Sequence, residues 1–252
     1  MVPLIGAPVG SSATPYTASV YPLSRNRQPE IMDSPDLEEA RHRRALDALG
    51  RINWFSRSAA HLWMEIQRVL ARTPGGTVRI LDLACGGGDV ALALERYADR
   101  HGVDVEVSGC DASALAVARA AERAATTGSR AQFFRLDVLR EPLPQDVDVV
   151  CSTLFLHHLD EADAVVLLTK MSAASRRALI VQDLERSRAG VALAYLGVHL
   201  LTRSDVARVD GPRSVRAAYT PQEAVALARR AGLDARVRRC WPWRYSLTWE
   251  AA

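Results

Sequence analysis

Arg79-Ile-Leu-Asp-Leu-Ala-Cys-Gly-Gly-Gly-Asp-Val-Ala91 is an apolar run that ends in an acid and three glycines and passes at once into a helical pattern. That order describes a buried parallel strand turning sharply into a helix. The glycines leave backbone N–H groups bare, so a ligand can approach closely, and such a turn usually holds a nucleotide-like cofactor. Downstream the pattern repeats. Apolar runs at 78–83, 104–110, 131–136, 146–152 and 177–183 predict strands, and 88–100, 112–126 and 161–174 predict the helices between them. Strands alternating with helices of this length imply right-handed crossovers and an α/β fold with a parallel sheet covered on both faces.

After Asp183 the rhythm changes. An apolar helix is expected at about 188–202, a loop rich in Arg, Asp and Gly-Pro at 203–215, and a helix opened by Thr220-Pro221-Gln222-Glu223. There Thr220 is the N-cap, Pro221 the first helical residue, and Glu223 completes a capping box. Runs at 234–240 and 244–250, joined through Trp-Pro-Trp, predict a hairpin-like finish. Upstream, 36–70 reads as two helices broken near Gly50 to Trp54, and Pro74-Gly75-Gly76 separates them from the alternating region. The division expected is a disordered segment 1–30, a helical lead-in 31–75, and an α/β domain 76–252 with a helical insertion at about 185–218. Translation from Met1 and from Met32 are both open.

The 252 residues are 48% hydrophobic and 24% charged, as in a soluble domain with a full core. The net charge of +3 rests almost wholly on scattered arginines, Lys170 being the only lysine, so no nucleic-acid footprint is read from it. Arg236, Arg238 and Arg239 alternate along a strand, as a solvated face or a small anion patch. Cys85, Cys110, Cys151 and Cys240 lack paired short spacing, so neither a disulfide framework nor a metal site is expected, and a reducing cytoplasm suits them. Ala189–Leu201 is too short to span a bilayer, and no secretory leader is visible.

Two cofactors compete for the glycine turn. Gly86-x-Gly88-x-x-Ala91 with Asp111 about twenty residues on satisfies a relaxed dinucleotide fingerprint, which keeps an NAD(P)-dependent oxidoreductase open. Four features favour another ligand. Asp82 lies inside the first strand, four residues before Gly86. Asp137 closes the third strand. The fourth strand exits abruptly from apolar to polar residues, Cys151-Ser-Thr-Leu-Phe-Leu-His157-His158. A second mononucleotide half is missing.

On the glycine motif 80–88, Asp111, Asp137 and segment 151–160, the chain resembles the class I S-adenosylmethionine-dependent methyltransferases over about 76–250, closest to those acting on quinone precursors or phenolic polyketides. The resemblance implies a Rossmann-like seven-stranded, mostly parallel sheet with helices on both faces and an antiparallel C-terminal strand, plus an N-terminal helical extension. It implies S-adenosyl-L-methionine as cofactor, bound by Asp82, Ala84, Gly86, Gly88, Asp111, Ala112, Asp137, Val138, Ser152 and Leu154. Asp111 would take the ribose hydroxyls, and Asp137 with the Val138 N–H the adenine. Ala84 departs from the family, where glycine is common.

Methyl transfer is an in-line displacement, and a phenolic acceptor also needs a base to take its proton. His157 aligns with the base of plant-type phenolic O-methyltransferases, and His158 stands where those have an acid; both are candidate catalytic residues, with helix capping as their structural alternative. Helix 188–202 with Tyr195, together with Trp54, Phe55, Trp63 and Tyr219, is expected to enclose a small aromatic or hydrophobic acceptor. The helix as a homodimer contact or plain core is the alternative. O-methylation is favoured over C-methylation. A non-catalytic S-adenosylmethionine-binding partner protein stays open, and a nucleic-acid methyltransferase is disfavoured because no Asn-Pro-Pro-Tyr-like segment follows the fourth strand.

Overall fold

The computed structural model describes residues 23–34, 36–72 and 75–251. Of the segment expected to be disordered, 1–22 lies outside the described residues. Residues 23–30 are an extended stretch packed on the body, which corrects the expectation for them. Ser/Pro-rich composition suggested loose chain, but Arg25 and Glu30 find partners far along the sequence.

In chain order the elements are α1 (Glu39–Phe55), α2 (Ser58–Leu70), β1 (Val78–Leu83), α3 (Asp89–His101), β2 (Val105–Asp111), α4 (Ala114–Thr127), β3 (Gln132–Arg135), β4 (Val147–Thr153), α5 (Glu161–Ala174), β5 (Ser175–Leu184), α6 (Arg188–Leu201), α7 (Asp205–Ala217), α8 (Pro221–Arg230), β6 (Arg236–Cys240) and β7 (Arg244–Glu250). Short 3-10 turns at Ile31–Asp33 and Leu156–His158 contribute to the wall of a large cavity. The seven strands form one sheet in the order β3-β2-β1-β4-β5-β7-β6. The first five run parallel; β7 pairs antiparallel with β5, and β6 antiparallel with β7. This finish stands where a dinucleotide fold would place its second half.

Side chains alternate across the sheet and feed two cores. Leu81, Leu83, Val150, Leu179, Val181 and Leu247 pack with α5 and α8, whereas Ile80, Val107, Val149, Cys151 and Ile180 pack with α2 and α3. The capping box at Thr220 forms, with its hydroxyl accepting from the Glu223 N–H and the Glu223 carboxylate accepting from the Thr220 N–H. Among the described residues no helix is long and apolar enough to cross a membrane.

Two expectations change. The helix break lies at Ser56 and Arg57, and Gly50 sits inside α1. The expected loop 203–215 is largely α7, capped by Ser204, with Pro212 inside it. Its Asp-Gly-Pro triplet serves packing instead of turning. A Cβ on Gly211 would lie 2.6 Å from Val198 Cγ1 of α6, so glycine permits the close crossing. The Asp210 carboxylate accepts from the Ile31 and Met32 N–H groups at 3.0 Å each, tying the N-terminal segment to α7.

Candidate active site

A cavity of about 850 Å³ opens over the carboxyl ends of the parallel strands, where an open α/β sheet binds its ligands. The β1–α3 turn forms part of its wall. Ala84 takes φ +52°, the left-handed region that favours glycine, and so closes the turn without the family's residue. Gly88, at φ +72°, caps α3; a Cβ there would meet Ala120 and Phe133 at 2.8 Å. Gly88 therefore seats α3 against α4 and β3, while Ala84, Gly86 and Gly87 line the cavity.

Asp111 ends β2 with both carboxylate oxygens aimed by backbone: Oδ2 accepts from the Gly86 N–H and Oδ1 from the Ser113 N–H, each at 2.9 Å. Burial raises its pKa against the pull of those N–H groups. Asp82 is fully buried under the turn, and burial, helped by the nearby Asp89 charge, pushes its carboxyl up to about 8. Asp137 lines the cavity and also braces its own turn, Oδ1 accepting from the Leu139 N–H at 3.0 Å. Ala112, Val138 and Leu154 are on the wall as well, Leu154 at φ +57°. Ser152 is not. It points into the sheet and donates to the Leu83 carbonyl at 3.2 Å, because strand alternation turns Thr153 toward the cavity in its place.

His157 and His158, also on the cavity wall, follow β4 on the 3-10 turn. His157 is buried, its Nδ1 2.7 Å from Asp183 Oδ1, while its backbone N–H donates to Asp183 Oδ2 at 2.9 Å. Burial disfavours its imidazolium, but the Asp183 carboxylate outweighs that and its pKa rises to about 10. His158 sets Nδ1 3.0 Å from Asp33 Oδ2. Glu30 faces both rings; burial opposes its ionisation, yet the two histidines and Ser214 bring its carboxyl down to about 2. Arg25 fastens this corner, donating from Nη2 to the His157 and Leu159 carbonyls and from Nε to that of Ala217.

Of the five aromatic residues expected around the acceptor, Phe55 lines the cavity and the other four lie elsewhere. Trp54 projects into solvent at 82% exposed, beside a separate shallow depression. Trp63 is core, packed with Ile66 and Val78. Tyr195 faces outward from α6 and packs on His199. Tyr219 is buried, donating to the Leu159 carbonyl with the Arg25 guanidinium over its ring. The wall comes instead from the inner side of α6 (Leu193, Ala194, Gly197), from Phe55 and Ile52, and from Trp241 and Trp243. Glu30, Asp183, Ser214 and Arg244 were missed. Asp183 carried a signal, an acid closing an apolar strand as Asp111 does; Glu30 carried none, standing in a segment without periodicity.

Arg244 is buried and lines the cavity, bonded to Asn53 Oδ1 at 3.3 Å and to the Ser58 hydroxyl. Burial lowers its pKa to about 10.

Residues 80–177 match the model of a family described as methyltransferase domain. By sequence no curated protein matches the chain. Among solved structures, magnesium protoporphyrin IX methyltransferase from Synechocystis PCC 6803, with bound S-adenosylhomocysteine, is 15% identical over 79% of this chain and 84% of its own, with a TM-score of 0.56. A SAM-dependent methyltransferase from Aquifex aeolicus is 17% identical over 69% and 82%, with a TM-score of 0.52. The mitomycin 7-O-methyltransferase is 19% identical over 82% of this chain and 54% of its own, with a TM-score of 0.53. Residues 80–177 thus match a methyltransferase domain, and the fold is shared with solved S-adenosylmethionine-dependent methyltransferases.

Proposed function

We propose that the protein methylates a hydroxyl of a small aromatic or hydrophobic acceptor. The observation that carries this reading is that one cavity with largely apolar walls takes in the glycine turn and Asp111 as well as Glu30, His157 and His158. The glycine turn fits S-adenosylmethionine: Gly86 and Gly87 carry no side chain, and the Asp111 carboxylate is oriented by two N–H groups with lone pairs left for vicinal hydroxyls. Asp137 and Val138 stand where the adenine edge would be read. Bound there, S-adenosylmethionine supplies a methyl group on a sulfonium, which is electrophilic.

The remaining work falls to the chain's own residues. The inner face of α6, Phe55 and Trp243 exclude water and favour a flat apolar acceptor. The histidine corner receives the acceptor hydroxyl, with Asp183 fixing the His157 ring. Arg244 offers a cation to a carboxylate, which the methionyl tail and a carboxylated acceptor both carry.

Calorimetry with S-adenosylhomocysteine, followed by mass spectrometry of a phenol and hydroxyquinone panel incubated with S-adenosylmethionine, tests the proposal. Asp111→Ala is expected to weaken S-adenosylhomocysteine at least tenfold, about 1.4 kcal/mol. A chain that binds it but methylates nothing in the panel defeats the acceptor class; unchanged affinity in Asp111→Ala defeats the role of Asp111.

A further inference from the structure

We propose that Glu30, His157 and His158 form a binding site for a divalent transition-metal ion of the zinc type. His157 Nε2 lies 3.5 Å from Glu30 Oε1, and His158 Nε2 lies 3.8 Å from Glu30 Oε2. One donor atom from each of the three residues falls within 4.8 Å of the others. Those separations are long for direct hydrogen bonds. They are close to the edge of a zinc tetrahedron, about 3.3 Å for bonds of about 2.0–2.1 Å.

The outer partners point the same way. A metal-bound histidine nearly always gives its other ring nitrogen to a carboxylate or carbonyl, which sets the tautomer and aims the ligand nitrogen. Here both rings are anchored so: His157 Nδ1 on Asp183 at 2.7 Å and His158 Nδ1 on Asp33 at 3.0 Å. Both Nε2 atoms then converge on the one remaining carboxylate. That carboxylate is itself held, Glu30 Oε1 accepting from the Ser214 hydroxyl at 2.5 Å. Six side chains from four parts of the chain thus aim three donors at one point. A set kept only to bind the N-terminal segment by hydrogen bonds would place the Nε2 atoms at contact distance.

Two imidazoles and one carboxylate favour zinc and its neighbours over magnesium or calcium, which take oxygen ligands. Three protein donors leave a fourth position, and since Glu30, His157 and His158 all line the cavity, that position faces the acceptor end. The site's existence stands apart from the methyl-transfer reading. Its use there, as the seat of the acceptor oxygen, rests on that reading.

The test is calorimetric titration of the chelator-treated full chain with Zn²⁺, with Co²⁺ absorption as a second readout. One equivalent of Zn²⁺ is expected, together with a visible Co²⁺ band of four- or five-coordinate type. Glu30→Gln and His158→Ala, checked for folding by circular dichroism, are each expected to weaken Zn²⁺ at least tenfold. S-adenosylhomocysteine affinity, measured on the same samples, is expected to stay within twofold. Absence of a stoichiometric site, or a site unaltered in both variants, overturns the inference. Zinc bound by a chain that ignores S-adenosylhomocysteine leaves the metal site standing and removes the methyltransferase reading instead.

Discussion

A single methyl group added at Gly88 would press on Ala120 and Phe133 at 2.8 Å while the backbone is held at φ +72°. Overpacking and the left-handed penalty act together, so Gly88→Ala is expected to cost about 3 kcal/mol in chemical denaturation. Ala84→Gly, at φ +52°, loses a penalty of about 1–2 kcal/mol and takes on extra chain entropy of about 0.5–1 kcal/mol; it is expected to leave the melting temperature within a few degrees or raise it. Asp82 makes a pH prediction. Its folded pKa, about 8, lies above the ordinary 3.8, so between those values the unfolded chain has released the proton that the folded chain keeps. The stability this contributes is present below 3.8 and lost as pH rises toward 8, by up to about 1.4 kcal/mol per unit. Urea denaturation of the cofactor-free protein at pH 5 and 8 is expected to show that slope, and Asp82→Asn to flatten it. Residues such as Asp82, Gly86 and Asp111 were legible in the sequence because their places follow from position relative to a strand end. Trp54, Trp63, Tyr195 and Tyr219 were not, because a helix's rotation about its axis is set by partners distant in sequence.

At the level of elements, the crossing of α6 and α7 is the joint on which the acceptor wall depends. Gly211 meets Val198 there with no room for a Cβ, and Val198 shares α6 with Leu193 and Gly197 of the wall. Gly211→Ala is expected to displace α6 and to change the KM for the acceptor severalfold more than the affinity for S-adenosylhomocysteine. Adding Val198→Ala makes space and is expected to restore part of the loss, a coupling of about 1 kcal/mol in the double-mutant cycle. Strictly additive effects would show that the two helices do not meet as described. Strands and their connecting helices stood near their expected bounds, since period-2 and helical patterns report burial directly. α7 did not, because Asp210-Gly211-Pro212 has the composition of a turn, and only the neighbouring helix shows why glycine is needed.

Over the whole molecule a parallel sheet with a hairpin-like finish was legible from element order, while the antiparallel C-terminal strand was implied by the family resemblance. The N-terminal segment was the part that composition misjudged. Its attachment includes Arg25 on three carbonyls, Arg27 on the His158 carbonyl, the Leu23 carbonyl accepting from Arg186, and Asp210 accepting from the Ile31 and Met32 N–H groups. Arg25→Ala removes three part-buried charged bonds. It is expected to speed amide exchange across 23–34 and 156–159 at least tenfold while leaving β1, β4 and β5 protected. Exchange altered equally in the central strands would show that the segment is integral to the core.

Those same attachments set an order of events during synthesis. Arg25 leaves the ribosome 192 residues ahead of Ala217, whose carbonyl it will bind. Contacts so far apart in the chain carry a large loop-closure cost and form late. The nascent protein therefore passes through a stage in which its chamber is built but unroofed on the Glu30 side, and whatever occupies that corner has its freest entry then.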